Sequence, residues 1–118
     1  MAICEYSRAV LCNGLGQYDE AFAAASAACA DLREMVAHNW GMTELIESAV
    51  RTGRTALAAE TLERLTMKAH ACRTSWALGI EARSRALLSE GDGAERGFRA
   101  AVGHLSREIG RASCRERV

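Results

Sequence analysis

Three glycines, Gly16, Gly53 and Gly91, punctuate the chain at steps of 37 and 38 residues, each between one helix-like run and the next. Glycine enters the left-handed conformation at little steric cost, so it belongs where a helix stops and turns back. A break recurring at this period is the mark of stacked helix hairpins, one antiparallel helix pair per repeat. The period predicts an all-α, right-handed array of three hairpins, at about 3–32, 40–72 and 75–106, within one domain at 1–107. Such arrays present extended binding surfaces, so the faces of the helices matter more here than any catalytic constellation.

Composition agrees with close helix-on-helix contact. A chain of 118 residues is at most one ordinary domain or a piece of a larger one. Apolar residues make up 49% of it but aromatics only 5%, and alanine is abundant. Small side chains suit close helix crossings better than a bulky core. Proline is absent, strand-like alternation is absent, and the long Ala/Leu/Glu/Arg stretches favour helix. The formal net charge is zero, without the broad basic footprint of a nucleic-acid binder.

The five cysteines, Cys4, Cys12, Cys29, Cys72 and Cys114, form no CxxC and no paired spacing with His38, His70 or His104. They read as buried free thiols, which fit a reducing, cytoplasmic setting, and no metal or cofactor is expected. The N-terminus reaches Glu5 without the basic region of a signal peptide. The longest uncharged run, Ala21–Ala30, is too short to span a bilayer, so no membrane partner is expected.

Six helices are predicted, at about Ile3–Asn13, Tyr18–Leu32, Met42–Thr52, Thr55–Cys72, Ser75–Ser89 and Ala94–Leu105. Ile3, Tyr6 and Val10 share one stripe of the first. Arg33–Asn39 is less regular and is compatible with a helix extension or a loop. In the fourth helix Ala58, Leu62, Leu65 and Ala69 share a face. In the sixth, Phe98, Ala101, Val102 and Leu105 recur at i, i+3, i+4 and i+7, a core-facing stripe, with Asp92 as N-cap and Glu95 behind it. Tyr18, Leu45, Leu62, Leu78 and Phe98 are expected to be largely buried, with Ala21, Ala58 and Gly79 at close helix contacts. Glu47–Arg51, Glu60–Arg64 and Glu81–Arg85 set acid before base at i, i+4 and read as solvated pairs of about 0.2–0.5 kcal/mol each.

The run Gly16-Gln17-Tyr18-Asp19-Glu20-Ala21-Phe22, followed by Ala25 and Ala28, resembles the second-helix pattern of tetratricopeptide repeats. The resemblance implies an aromatic filling the gap between hairpins and small alanines allowing helices to approach. The second hairpin keeps the spacing through Gly53, Ala58, Leu62 and Leu65, but Thr55 replaces the aromatic. In the third, the turn is shorter and Phe98, Ala101 and Val102 restore the register. The period near 37, longer than the usual repeat, implies degenerate, tetratricopeptide-like units.

A second resemblance covers most of Tyr6–Ser106. Asn13–Ala21, Glu44–Gly53 and Trp76–Leu88 are similar to the helical-repeat region of large actinobacterial LuxR-type transcriptional regulators. Those proteins carry a P-loop ATPase on the N-terminal side and a helix-turn-helix at the C-terminal end. Neither motif occurs in this chain, so no ATP- or DNA-binding residue carries over. The resemblance implies a non-catalytic signal-sensing or protein-interaction segment with a protein or small-molecule effector. A free-standing tetratricopeptide-like adaptor is the alternative. Separately, Ile109–Val118 resembles the translation of a common sequencing adapter. That implies a non-native tail at 108–118 and a natural sequence ending near Arg107. Without those eleven residues the formal charge is −1, from 12 basic and 13 acidic residues.

No residues read as catalytic, because neither His38 nor His70 has a Ser, Cys or carboxylate at a spacing that implies a triad. The candidate ligand groove is Trp40 and Trp76, which open equivalent helices 36 residues apart, with Arg51 and Arg83 as an anion patch. Packing anchors and solvated charge are the competing readings of those four. Gly16, Tyr18, Ala21, Gly53, Ala58, Leu62, Gly79 and Phe98 are the expected packing positions of the repeat. A last hairpin without a polar cap would leave part of the Phe98–Val102–Leu105 face open to self-association.

Overall fold

The structure, a computed structural model, describes the backbone of residues 2–30 and 35–116 and the side chains of residues 2–30 and 38–107. It is all-α, with six helices and no strand among the described residues. The helices are α1 (Ala2–Gly14), α2 (Tyr18–Ala30), α3 (Met35–Arg51), α4 (Thr55–Cys72), α5 (Ser75–Leu88) and α6 (Gly91–Glu116). Two compact units divide the chain, Met1–Leu65 and Thr66–Val118, with the boundary inside α4.

The α1–α2 and α3–α4 turns share one hydrogen-bond design. After α1, the Gly16 amide donates to the Asn13 carbonyl at 3.2 Å and the Gln17 amide to that of Cys12 at 2.8 Å. After α3, the Gly53 amide donates to Val50 at 3.2 Å and the Arg54 amide to Ala49 at 2.7 Å. Both are Schellman closures, which require a left-handed residue just past the helix, and the two glycines supply it with φ of 77° and 81°. The bonds that flank them also correspond. Leu15 to Leu11 matches Thr52 to Ser48, and Ala21 to Gln17 matches Ala58 to Arg54. The whole pattern recurs at an offset of 37 residues.

The third glycine behaves differently. Gly91 has φ of 59° but is the first residue of α6, while Ser89 caps α5 in an extended conformation. Asp92 therefore lies within the first turn of α6 and is not its N-cap. The α4–α5 turn uses Arg73 in the left-handed region, φ 54°, its amide bonded to the Ala69 carbonyl at 2.8 Å. Thr74 then caps α5, its hydroxyl accepting from the Ala77 amide at 3.1 Å.

In the first unit α1, α2 and α3 pack against one another. The core is mostly methyl groups. Ala21, Ala24, Ala25 and Ala28 recur at i, i+3, i+4 and i+7 on α2 and are all buried. Ala9 of α1 and Leu45 of α3 complete the cluster with Ala24 and Ala25. Met42 and Ile46 are the largest fully buried side chains. Close approach makes such a core pay, because dispersion falls off steeply with distance. Gly41 shows how close: a Cβ there would lie 3.2 Å from both the Ala28 Cβ and the Cys29 Sγ.

In the second unit α5 packs on α6 through another small-residue seam. A Cβ on Gly97 would meet the Ala86 Cβ at 2.8 Å, and one on Gly79 would meet the Leu105 Cγ at 2.8 Å.

Several expectations need correction. On α1, Ile3 and Val10 of the apolar stripe are exposed, and Ala2, Ala9, Cys12 and Asn13 face inward. Small residues win that side because they let α1 approach its neighbours. Phe98 is 40% exposed, since the seam to α5 runs through Gly97 and Leu105, on another side of the helix. Tyr18, Leu62 and Leu78 are half-buried, whereas Leu45 is buried. Met35–Asn39 belongs to α3, so that helix starts earlier than Met42, and the backbone of α6 runs from Gly91 past Leu105 to Glu116. Cys4 and Cys72 are exposed free thiols, Cys12 is buried and Cys29 is half-buried. The readings placed on Leu32 and Arg33, and on the side chains of Ile109, Cys114 and Val118, lie outside the described residues.

Candidate interaction surfaces

The four residues of the expected ligand groove fall in separate units. Trp40 and Arg51 belong to the first, Trp76 and Arg83 to the second. Trp40 is 42% exposed and rests on Tyr6 of α1, ring centroids 5.6 Å apart with an interplanar angle of 50°. This tilted pair ties α1 to α3 while leaving an indole face open. Trp76, in the first turn of α5, is 45% exposed. Arg83 is half-buried on α5.

Beside Tyr6 the α1–α3 seam becomes polar. Asn13, itself buried, donates through Nδ2 to the Glu44 carbonyl at 3.2 Å and to its Oε2 at 2.7 Å. Partial burial raises the pKa of the Tyr6 hydroxyl above the usual tyrosine value, and the nearby Glu44 carboxylate adds to the rise. The result is an exposed aromatic pair close to a carboxylate held by Asn13.

A second patch flanks the Gly53 turn. The Arg51 guanidinium lies 5.7 Å from the Tyr18 ring centroid, and that of Arg54 lies 4.1 Å from the Phe22 ring. Arg54 also reaches Asp19 at 3.7 Å. Tyr18 and Phe22 are one helical turn apart on α2, so two arginines from one turn cover two rings on one face. Desolvated, such contacts are worth ~2 kcal/mol, but at exposed arginines about 0.5–1 kcal/mol is the fitting scale. Tyr18, half-buried, thus acts as a platform for Arg51.

The remaining packing positions are placed as follows. Ala21 and Ala58 are fully buried, Leu62 is half-buried, and Gly79 is buried against Leu105. Gly16 and Gly53 have open space around a would-be Cβ, so their role is conformational. In the second unit, Glu81 is buried and accepts from the Thr66 hydroxyl at 3.1 Å and from Arg85 Nε at 2.8 Å. Spacing alone marks Glu81–Arg85 as a solvated pair. The structure makes it a linchpin between the end of α4 and α5, and no sequence signal pointed to Thr66.

His38 Nδ1 sits 2.6 Å from the Cys29 carbonyl, a side-chain partner for the end of α2. Among the described residues no group of three or more His, Cys, Asp or Glu side chains is arranged to hold a metal ion. No described helix is long and apolar enough to cross a membrane. No protein-family model matches the chain, and neither a curated protein nor a solved structure matches it.

Proposed function

We propose that this chain is a non-catalytic protein-interaction or signal-sensing segment, built as a right-handed, tetratricopeptide-like array of three helix hairpins. The observation that carries the reading is the recurrence, after 37 residues, of one complete turn design around Gly16 and Gly53. A single Schellman turn is common. Two with corresponding partners and the same flanking bonds point to one hairpin unit used twice. The exposed aromatic patch at Tyr6 and Trp40, and the arginine-covered face at Tyr18 and Phe22, are the surfaces such a segment would offer a protein or small-molecule effector.

The resemblance to LuxR-type regulators makes the parent protein a cytoplasmic transcription regulator, with ATPase and DNA-binding work done by other segments. This segment itself takes no part in duplex recognition, consistent with its net charge of zero. Sequencing the genomic locus on both sides tests the assignment. A P-loop upstream and a helix-turn-helix downstream in the same frame are the expected result. Stop codons closing the frame around the array alone would favour an adaptor.

A further inference from the structure

We infer that the Trp40–Glu44 face of α3, backed by Tyr6 of α1, binds an arginine side chain of a peptide partner. The inference deepens the interaction reading above and rests on it. It starts from an arrangement that the chain already fills elsewhere. On α2, Asp19 and Phe22 stand three residues apart and both contact one guanidinium. That of Arg54 lies 4.1 Å from the Phe22 ring centroid and 3.7 Å from the Asp19 carboxylate. A planar cation can stack on a ring and fork to a carboxylate at once, a match that a compact ammonium lacks.

The same two kinds of group stand together on α3. Trp40 and Glu44 are four residues apart and so share a face, and helical side chains lean toward the preceding turn, which brings the carboxylate back toward the indole. Trp40 is 42% exposed. Tyr6 closes one side of it: the ring centroids are 5.6 Å apart, whereas a cation stacked between two rings needs about 7 Å, so the ligand takes the open indole face. The carboxylate is held before any ligand arrives. Asn13, buried, donates to the Glu44 carbonyl and to its Oε2, which fixes the side chain. Asn13 is neutral, so Glu44 keeps its charge, and no ion pair among the described residues takes in Glu44. The cation–ring contacts of the described residues fall on Tyr18 and Phe22, not on Trp40. The raised pKa of Tyr6, due to burial and then to Glu44, shows that the field of this carboxylate reaches the aromatic pair. A ring and a counter-charge already in place lower the ordering cost of binding.

NMR of the two indole N–H groups tests this on the full chain, with Trp40 as the site and Trp76 as the control. The probe is the capped tripeptide acetyl-Gly-Arg-Gly-amide, raised to about 20 mM, the scale at which a lone side chain registers. The Trp40 signal should shift saturably while Trp76 stays put. The citrulline peptide, a neutral isostere, should give no saturable shift, and the lysine peptide should bind at least about threefold more weakly. Glu44→Gln keeps an acceptor for Asn13 and removes the charge; it should weaken the arginine peptide about three- to tenfold. Helical circular dichroism confirms folding. If that variant unfolds, raising salt from about 10 mM to about 500 mM should weaken binding to the wild-type chain instead. An unmoved Trp40, equal shifts at both indoles, an equal response to citrulline, or an affinity insensitive to both Glu44→Gln and salt would each overturn the proposal. Free L-arginine binding more tightly than the peptide would overturn the peptide partner. The titration reads this face alone, so its failure is distinct from failure of the repeat reading, which is judged on the hairpins.

Discussion

Gly97 on α6 meets Ala86 on α5 with almost no clearance: a Cβ at 97 would lie 2.8 Å from the Ala86 Cβ and 3.2 Å from its Cα. The backbone atom cannot yield, so the seam depends on the absence of a side chain. Six residues on, Gly103 of the same helix has nothing within 4 Å of a would-be Cβ. Alanine gains about 1 kcal/mol of helix propensity at either position. At 97 overpacking of about 1–3 kcal/mol opposes that gain. Gly97→Ala should lower stability and Gly103→Ala should raise it, the two urea midpoints moving in opposite directions. A stabilised Gly97→Ala would mean the α5–α6 seam is looser than described.

The Schellman glycines supply a second comparison. Gly16 and Gly53 have nearly the same φ and open surroundings, so alanine at either meets only backbone strain. Each substitution should cost about 1 kcal/mol, and the two costs should agree within experimental scatter. Arg73 holds the same conformation without glycine's freedom, and Arg73→Gly should gain up to about 1 kcal/mol. Thermal or urea denaturation measures all three.

Two ion pairs of identical spacing should differ in worth. Glu60–Arg64 is exposed on both sides, and Glu60→Ala should cost less than about 0.5 kcal/mol. The Glu81 side chain is only 9% exposed and also serves Thr66, whereas Arg85 is 56% exposed, which weakens the purely ionic part. Glu81→Ala should cost about 1–2 kcal/mol, chiefly through the lost buried hydrogen bonds. Equal losses for the two variants would remove Glu81 from its role between α4 and α5.

Tyr6 provides a pH test. Its pKa is raised in the folded state, first by burial and then by Glu44, so the fold holds the phenol proton more tightly than the unfolded chain does. That stabilisation is complete below about pH 10, the unfolded value, and is lost as pH rises through the folded pKa. Denaturation midpoints from pH 9 to 11 should therefore fall more steeply for the wild-type chain than for Tyr6→Phe. Parallel curves would show the hydroxyl to be fully solvated.

The parts legible in the sequence are those set by backbone chemistry. Gly16 and Gly53 mark turns because few other residues accept their φ, and the limits of α4, Thr55–Cys72, follow from the Gly53 break and the apolar period after it. Side-chain placement was less legible where two faces of a helix both carry apolar groups. On α1 the larger stripe, Ile3 and Val10, suggests a core, yet Ala9 and Cys12 occupy it because small groups permit closer packing. Phe98 misleads for the same reason beside Gly97. The Thr74 cap of α5 went unread in the sequence, and Asn13–Glu44 and Thr66–Glu81 join residues 31 and 15 positions apart. No local pattern encodes such pairs.

In the proposed array, α1–α2 and α3–α4 are one hairpin used twice. Pulsed electron paramagnetic resonance tests it most directly, on a cysteine-free chain carrying nitroxide labels at positions 10 and 23 or, 37 residues on, at positions 47 and 60. If the hairpin repeats, the two mean distances agree to within about 3 Å, the rise of two helical residues. A difference approaching a helix diameter, about 10 Å, would show that α4 does not return along α3 as α2 returns along α1, and that the hairpin does not repeat.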